Sequence, residues 1–166
     1  MKIKTGSYEE TCSLGKKIGA NIAGSVLCRK YIITLDGELG SGKTAFVSGL
    51  AHGLGIDEHV LSPSFTIVKE YSGGGYSLYH IDLYRLSDAS ELMSFDFYEY
   101  VSADDFVTAI EWAGKFGDMN YLPDVPTIKI SISQHIEKNE NLRTFKFDFI
   151  NFGDKLKNEF TAGLLA

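Results

Sequence analysis

The stretch from Tyr31 to Thr44 constrains this chain more than any other. Its apolar, β-branched start, Tyr31-Ile32-Ile33-Thr34-Leu35, reads as a buried strand that stops abruptly at Asp36-Gly37. From there the sequence follows G-x-x-x-x-G-K-[ST], with Gly37, Gly42, Lys43 and Thr44 in the fixed places. Each residue type has a physical task. Glycines let the backbone curl with its N–H groups turned inward, where a β-carbon would meet a phosphate. Lys43 offers a point charge to β- and γ-phosphates, and the Thr44 hydroxyl suits Mg²⁺. The segment from Thr44 to Leu54 reads as a helix whose positive end faces the anion. The bare pattern also fits a glycine-rich turn with no ligand; the strand before it and the helix after it favour a nucleotide.

A length of 166 residues suits a single domain with a good core, so one domain over 1–166 is expected. With 44% hydrophobic and 23% charged residues the composition is that of a globular chain, not a disordered one. The formal net charge of −6 argues against an autonomous nucleic-acid binder, which usually carries a basic face. Met1 to Gly6 lacks the apolar core of a secretory signal, and no run of 18 apolar residues occurs. No membrane span and a cytoplasmic setting are therefore expected. Cys12 and Cys28 match no metal spacing and read as two buried thiols in a reducing compartment.

Periodicity fills in the rest. Residues 2–5 read as an edge strand, and Ser7 with Glu10 as the capping box of a helix. Leu14, Ile18, Ile22 and Val26 carry that helix to about Val26 along one apolar face. A proline-containing loop, Leu61 to Thr66, leads into a hairpin whose arms are Ile67–Tyr71 and Tyr76–Asp82, joined by a loose, exposed Ser72–Gly75 turn. Asp88 caps a short helix. Phe106–Ile110 is a buried strand with Glu111-Trp112 at its carboxyl end. Thr127–Ser133 and a strand holding Phe145, Phe147 and Phe149 alternate cleanly, with a polar loop from His135 to Leu142 between them. Residues 154–165 read as a terminal helix. The fold class is α/β: a P-loop NTPase-like, mixed, mainly parallel sheet flanked by helices, with antiparallel hairpins.

Which phosphate chemistry follows depends on what else the chain carries. There is no N-K-x-D guanine-reading motif and no D-x-x-G after the hairpin. A small-molecule kinase would want an arginine-bearing lid, yet the only arginines are Arg29, Arg85 and Arg143, scattered. Ligands of open α/β sheets gather outside the carboxyl ends of strands, where Asp82 and Glu111 lie. Either carboxylate could orient a Mg²⁺ shell or an attacking water. His80, one strand position pair before Asp82, reads as a packed strand histidine and not as a ligand. Arg85 reads as the partner of a carboxylate or an arginine finger in cis.

Taken with Gly37–Thr44, the elements Ser62-Pro63-Ser64-Phe65-Thr66, His80-Ile81-Asp82-Leu83-Tyr84-Arg85-Leu86, Glu91-Leu92 and Ile110-Glu111-Trp112 resemble the TsaE (YjeE) family up to about residue 133. The resemblance implies a cytoplasmic ATPase of tRNA threonylcarbamoyladenosine biosynthesis. It implies the TsaB–TsaD complex as protein partner, with tRNA met only through that complex, and ATP and Mg²⁺ as cofactors. By the same resemblance Glu38, Leu39, Gly40, Ser41, Gly42, Lys43, Thr44 and Ala45, with Gly37, bind phosphates. Thr44 and Glu111 hold Mg²⁺, and Lys43, Glu111 and Asp82 form the catalytic set. Thr66 senses the γ-phosphate, Thr11 lies near the nucleotide, and Trp112 flanks the site. Family members carry a glycine soon after the Glu-Leu pair, where this chain reads Met93-Ser94-Phe95-Asp96-Phe97. Two other readings stand beside the partnered ATPase: a P-loop small-molecule kinase, and an ATP-gated adaptor whose hydrolysis is incidental.

Overall fold

The computed structural model describes residues 1–103, 106–117, 120–135 and 141–165. In chain order the strands are β1 (Lys2–Thr5), β2 (Tyr31–Asp36), β3 (Val68–Gly73), β4 (Tyr76–Asp82), β5 (Phe106–Glu111), β6 (Thr127–Gln134) and β7 (Arg143–Ile150). The helices are α1 (Tyr8–Gly24), α2 (Lys43–Gly53), α3 (Phe97–Ser102) and α4 (Asp154–Leu165), with short 3-10 turns at Ala89–Ser94 and Ala113–Phe116. The strands make one seven-stranded sheet in the order β1-β7-β6-β2-β5-β4-β3. Its centre, β6-β2-β5-β4, is parallel, and antiparallel strands extend both edges. The expected mixed sheet is therefore parallel only where β2 and its neighbours carry the loop and the acidic strand ends.

β2 is buried along Tyr31–Leu35, as its continuous apolar run requires of a strand covered on both faces. One face packs under α1, α2 and α4 through Leu14, Ile18, Phe46, Leu50 and Phe160; the other meets Leu86, Leu92, Phe97 and Val101. The helices α1 and α2 touch backbone to backbone. A β-carbon on Gly15 would collide with Phe46 O, and one on Gly49 with Cys12 O. Gly19 and Gly53 face each other the same way one turn on. This close crossing presses the first turns of both helices against the same end of the sheet.

Several expectations shift. Ser7 caps α1 by accepting from Glu10 N at 3.1 Å, but the Glu10 carboxylate turns back to Gly6 N at 2.6 Å instead of to the cap residue. The helix stops at Gly24, where Ser25 N donates to Ile22 O; beyond an extended Ser25 the fourfold spacing loses its meaning, and Val26 is 92% exposed. Gly74 (φ +57°) and Gly75 (φ +80°) form a two-residue left-handed turn. The turn is not loose on all sides, because a β-carbon on Gly73 would lie 2.8 Å from Gly55 O. Cys12 and Cys28 are free but half-buried. Of the polar loop between β6 and β7, residues 136–140 lie outside the described residues, and His135 N to Leu142 O (3.0 Å) closes its base.

Candidate functional site

The turn after β2 has the shape its sequence demands. Gly40 (φ +78°) and Gly42 (φ +97°) adopt left-handed conformations, and a β-carbon on Gly37 would stand 2.7 Å from Ile132 O. No side chain caps α2 at Gly42, which leaves the first-turn N–H groups for an anion. Lys43 is buried. Its Nζ donates to Gly37 O at 2.8 Å and Glu38 O at 3.0 Å, and it lies 3.9 Å from the centre of the Trp112 ring. Burial pulls its pKa down, while the charges of Glu111, Asp82, Asp36 and Glu38 pull it back up.

The strand ends converge on the same place. Parallel pairing sets Asp82 directly beside Glu111 on adjacent strands. Thr44 Oγ1 donates to Glu111 Oε1 at 2.9 Å, joining the start of α2 to the end of β5. The same oxygen accepts from Nε2 of His80, also at 2.9 Å. Asp82 receives Ser62 Oγ on Oδ2 (2.9 Å) and Tyr84 N on Oδ1 (3.0 Å), so it ties the Leu61–Thr66 segment to the sheet. Trp112, at φ +64°, turns sharply out of β5 and brings its ring over the lysine.

A cleft of about 430 Å³ gathers these groups: Leu39, Gly40, Gly42, Lys43, Thr44, Ala45, Asp82, Glu111 and Trp112 all line it. Ser41 is fully buried behind the loop. Gly37 and Glu38 face a neighbouring pocket beyond Trp112. Two further residues of the expected set do not line the cleft. Thr66 is exposed and outside the cleft lining, where Ser62 and Ser64 stand instead. Thr11 is buried with its hydroxyl donating to Ser7 O at 2.9 Å, and its methyl supports Gly42 from behind. Arg85 stacks 4.2 Å over the exposed ring of Phe65.

Sequence reading missed Tyr8 and Arg143, which also line the cleft. Arg143 Nε donates to Ser41 O at 3.0 Å and steadies the loop from outside. Because β7 runs antiparallel to β6, its first residue stands at the carboxyl end of the parallel strands. Pairing of Thr5 with Arg143 then delivers the start of α1 to the same spot. The scarcity of arginine was the one available clue.

The family model for threonylcarbamoyl adenosine biosynthesis protein TsaE matches residues 5–143. The chain belongs to the TsaE family. A relative from Bacillus subtilis, named tRNA threonylcarbamoyladenosine biosynthesis protein TsaE, is 45% identical over 114 residues, or 68% of this chain and 66% of its own length, just under two thirds. One of the same name from Nostoc is 40% identical over 74% of this chain and 72% of its own. The crystal structure of Bacillus subtilis YdiB superposes with a TM-score of 0.72 at 31% identity, covering 98% of this chain and 94% of that one. In this TsaE protein the family match ends at Arg143, the residue that braces the loop.

Proposed function

We propose that this TsaE protein takes part in tRNA threonylcarbamoyladenosine biosynthesis as its ATP-hydrolysing component, acting on the TsaB–TsaD complex. One observation carries the reading. The Thr44 hydroxyl and the Glu111 carboxylate meet at 2.9 Å at the start of α2, inside the cleft that Lys43 and Asp82 also line. That donor pair fits Mg²⁺, which favours one or two carboxylates plus phosphate oxygens and water. Among the described residues no group of three or more His, Cys, Asp or Glu could hold a metal unaided, so the phosphates must complete the shell. When bound, Mg²⁺ supplies charge neutralisation at the β- and γ-phosphate oxygens.

The chain's own groups do the rest. Loop N–H groups and the start of α2 cradle the phosphates, and Lys43 swings from its carbonyl partners to the β/γ-oxygens. Glu111 and Asp82 orient water at the strand ends. Asp82 also reports on the nucleotide, since its bond to Ser62 links the cleft to the exposed Leu61–Thr66 segment. That segment is the piece able to present a different surface to TsaB–TsaD in each nucleotide state. The tRNA is reached only through that complex, given the net charge of −6. Among the described residues no helix is long and apolar enough to cross a membrane. The cytoplasm is the setting we assign on the strength of the partners.

Calorimetry of the chain against TsaB–TsaD tests this, with ATP and with ADP. Tighter binding with ATP is expected, with the difference abolished in Lys43→Ala, and steady phosphate release without any acceptor added to the ternary mixture. Equal affinity in both nucleotide states removes the switch. Release that requires a small-molecule acceptor makes the chain a kinase.

A further inference from the structure

His80 is wholly buried, yet only one of its ring nitrogens has a partner. Nε2 donates to Glu111 Oε1 at 2.9 Å, and Nδ1 has no hydrogen-bond partner among the described residues. A histidine kept for packing alone would be replaced at a gain by an aliphatic side chain, because a buried polar atom without a partner is a standing cost. The arrangement makes sense as a device aimed at Glu111. Leu78, His80 and Asp82 alternate onto one face of β4, and the parallel register sets His80 opposite Ala109 on β5, two pairs below Asp82 and Glu111. The small Ala109 side chain leaves room for the imidazole to reach along the strand to the carboxylate. Glu111 Oε1 thus accepts twice, from His80 beneath and from Thr44 beside it. Two donors converging on one oxygen hold the carboxylate in a single orientation.

We infer that His80 is a positioning residue: its Nε2–H holds the Glu111 carboxylate against Thr44, in the orientation needed at the cation position of the cleft. The inference rests on the ATP–Mg²⁺ reading above. Groups that orient a metal-side ligand commonly matter roughly 10–100-fold for metal affinity or activity when removed.

The test uses His80→Leu, which removes both nitrogens at similar volume, and His80→Gln, whose side-chain amide can reach the place of Nε2 and donate. Trp112 lines the cleft and is the single tryptophan of the chain, so its fluorescence reports occupancy. ATP is titrated with chelator present, then Mg²⁺ is titrated at fixed ATP, and Tm is recorded for each protein. His80→Leu is expected to keep or raise Tm, to bind ATP normally without metal, and to need roughly 10–100-fold more Mg²⁺; His80→Gln should recover most of that loss. A His80→Leu protein with the wild-type Mg²⁺ midpoint overturns the inference. So does a His80→Gln protein as impaired as His80→Leu, because the donor would then not be what matters. A wild-type chain that binds ATP in neither arm overturns the parent reading and this inference with it.

Discussion

Two loops face each other across the cleft, and they are built in opposite ways. The loop from Gly37 to Thr44 is held from every side: Arg143 on its Ser41 carbonyl, Lys43 on its Gly37 and Glu38 carbonyls, Glu111 on Thr44, and α1 packed onto the helix that follows. The segment from Leu61 to Thr66 is held at a few points. Tyr71 OH accepts from Leu61 N and donates to Leu61 O, Ser62 bonds Asp82, and Ile67 N bonds Pro63 O. It leaves Leu61 51% and Phe65 81% exposed. It ends at Ile67, a β-branched residue at φ +66°, a conformation such side chains rarely adopt. The contrast teaches a division of labour. Under the proposed function, a phosphate cradle gains from being preorganised, whereas a segment that changes its presentation must be held by bonds that are easily exchanged for water.

The largest effect should come from loosening the cradle at its foundation. Gly49→Ala puts a β-carbon into the Cys12 carbonyl, where neither helix backbone can retreat without leaving the sheet. A loss of roughly 3 kcal/mol or more in denaturant unfolding is expected, at the upper end of overpacking costs. Wild-type stability would mean that the helix pair is softer than its crossing implies. The contrast between the two loops would then weaken.

A smaller effect tests the other loop. Tyr71→Phe removes the hydroxyl that holds both polar groups of Leu61. Because Leu61 is half open to water, the cost should be only about 1 kcal/mol. Cleavage by a low dose of protease within residues 61–66 should nonetheless accelerate, with the Gly37–Thr44 loop left intact. Unchanged cleavage would show that this segment is not held from its Leu61 end.

The smallest effect sharpens the picture of the cradle. Asp36 precedes Gly37; its Oδ1 accepts from Gly114 N at 2.6 Å, and its Oδ2 is buried without a partner among the described residues. Burial raises its pKa, with the Gly114 hydrogen bond and then Lys129 and Lys43 opposing. A carboxyl whose folded pKa lies above its unfolded one costs stability once ionised. That cost is full above the folded value and vanishes below the unfolded one. Asp36→Asn should therefore raise Tm slightly at pH 7, within roughly 2–4 °C, and the gain should fade as pH drops through the carboxylate range. A gain that persists at acid pH would assign the effect to packing instead of charge.

Sequence alone went far wherever the determinant was local. Spacing and glycine placement identified the tight left-handed turn within Gly37–Thr44, since backbone curvature there depends on the residues in it. Alternation placed β6 and β7, and strand ends singled out Asp82 and Glu111. Local pattern misjudged Val26, whose spacing continued past the point where the helix had stopped. The resemblance named Thr66 within the Leu61–Thr66 segment, while Ser62 and Ser64 are the ones that line the cleft, because the direction of a loop side chain is set by what the loop packs on. Arg143, Tyr8 and the bond from His80 to Glu111 were beyond the reach of local pattern. Arg143 lies 102 positions from its partner Ser41 and His80 31 positions from Glu111 along the chain, and Tyr8 shares the cleft with residues far from it in sequence. Only the strand order and its register bring them together, and that order is decided by how the two faces of the sheet bury their apolar residues, a property of the whole chain.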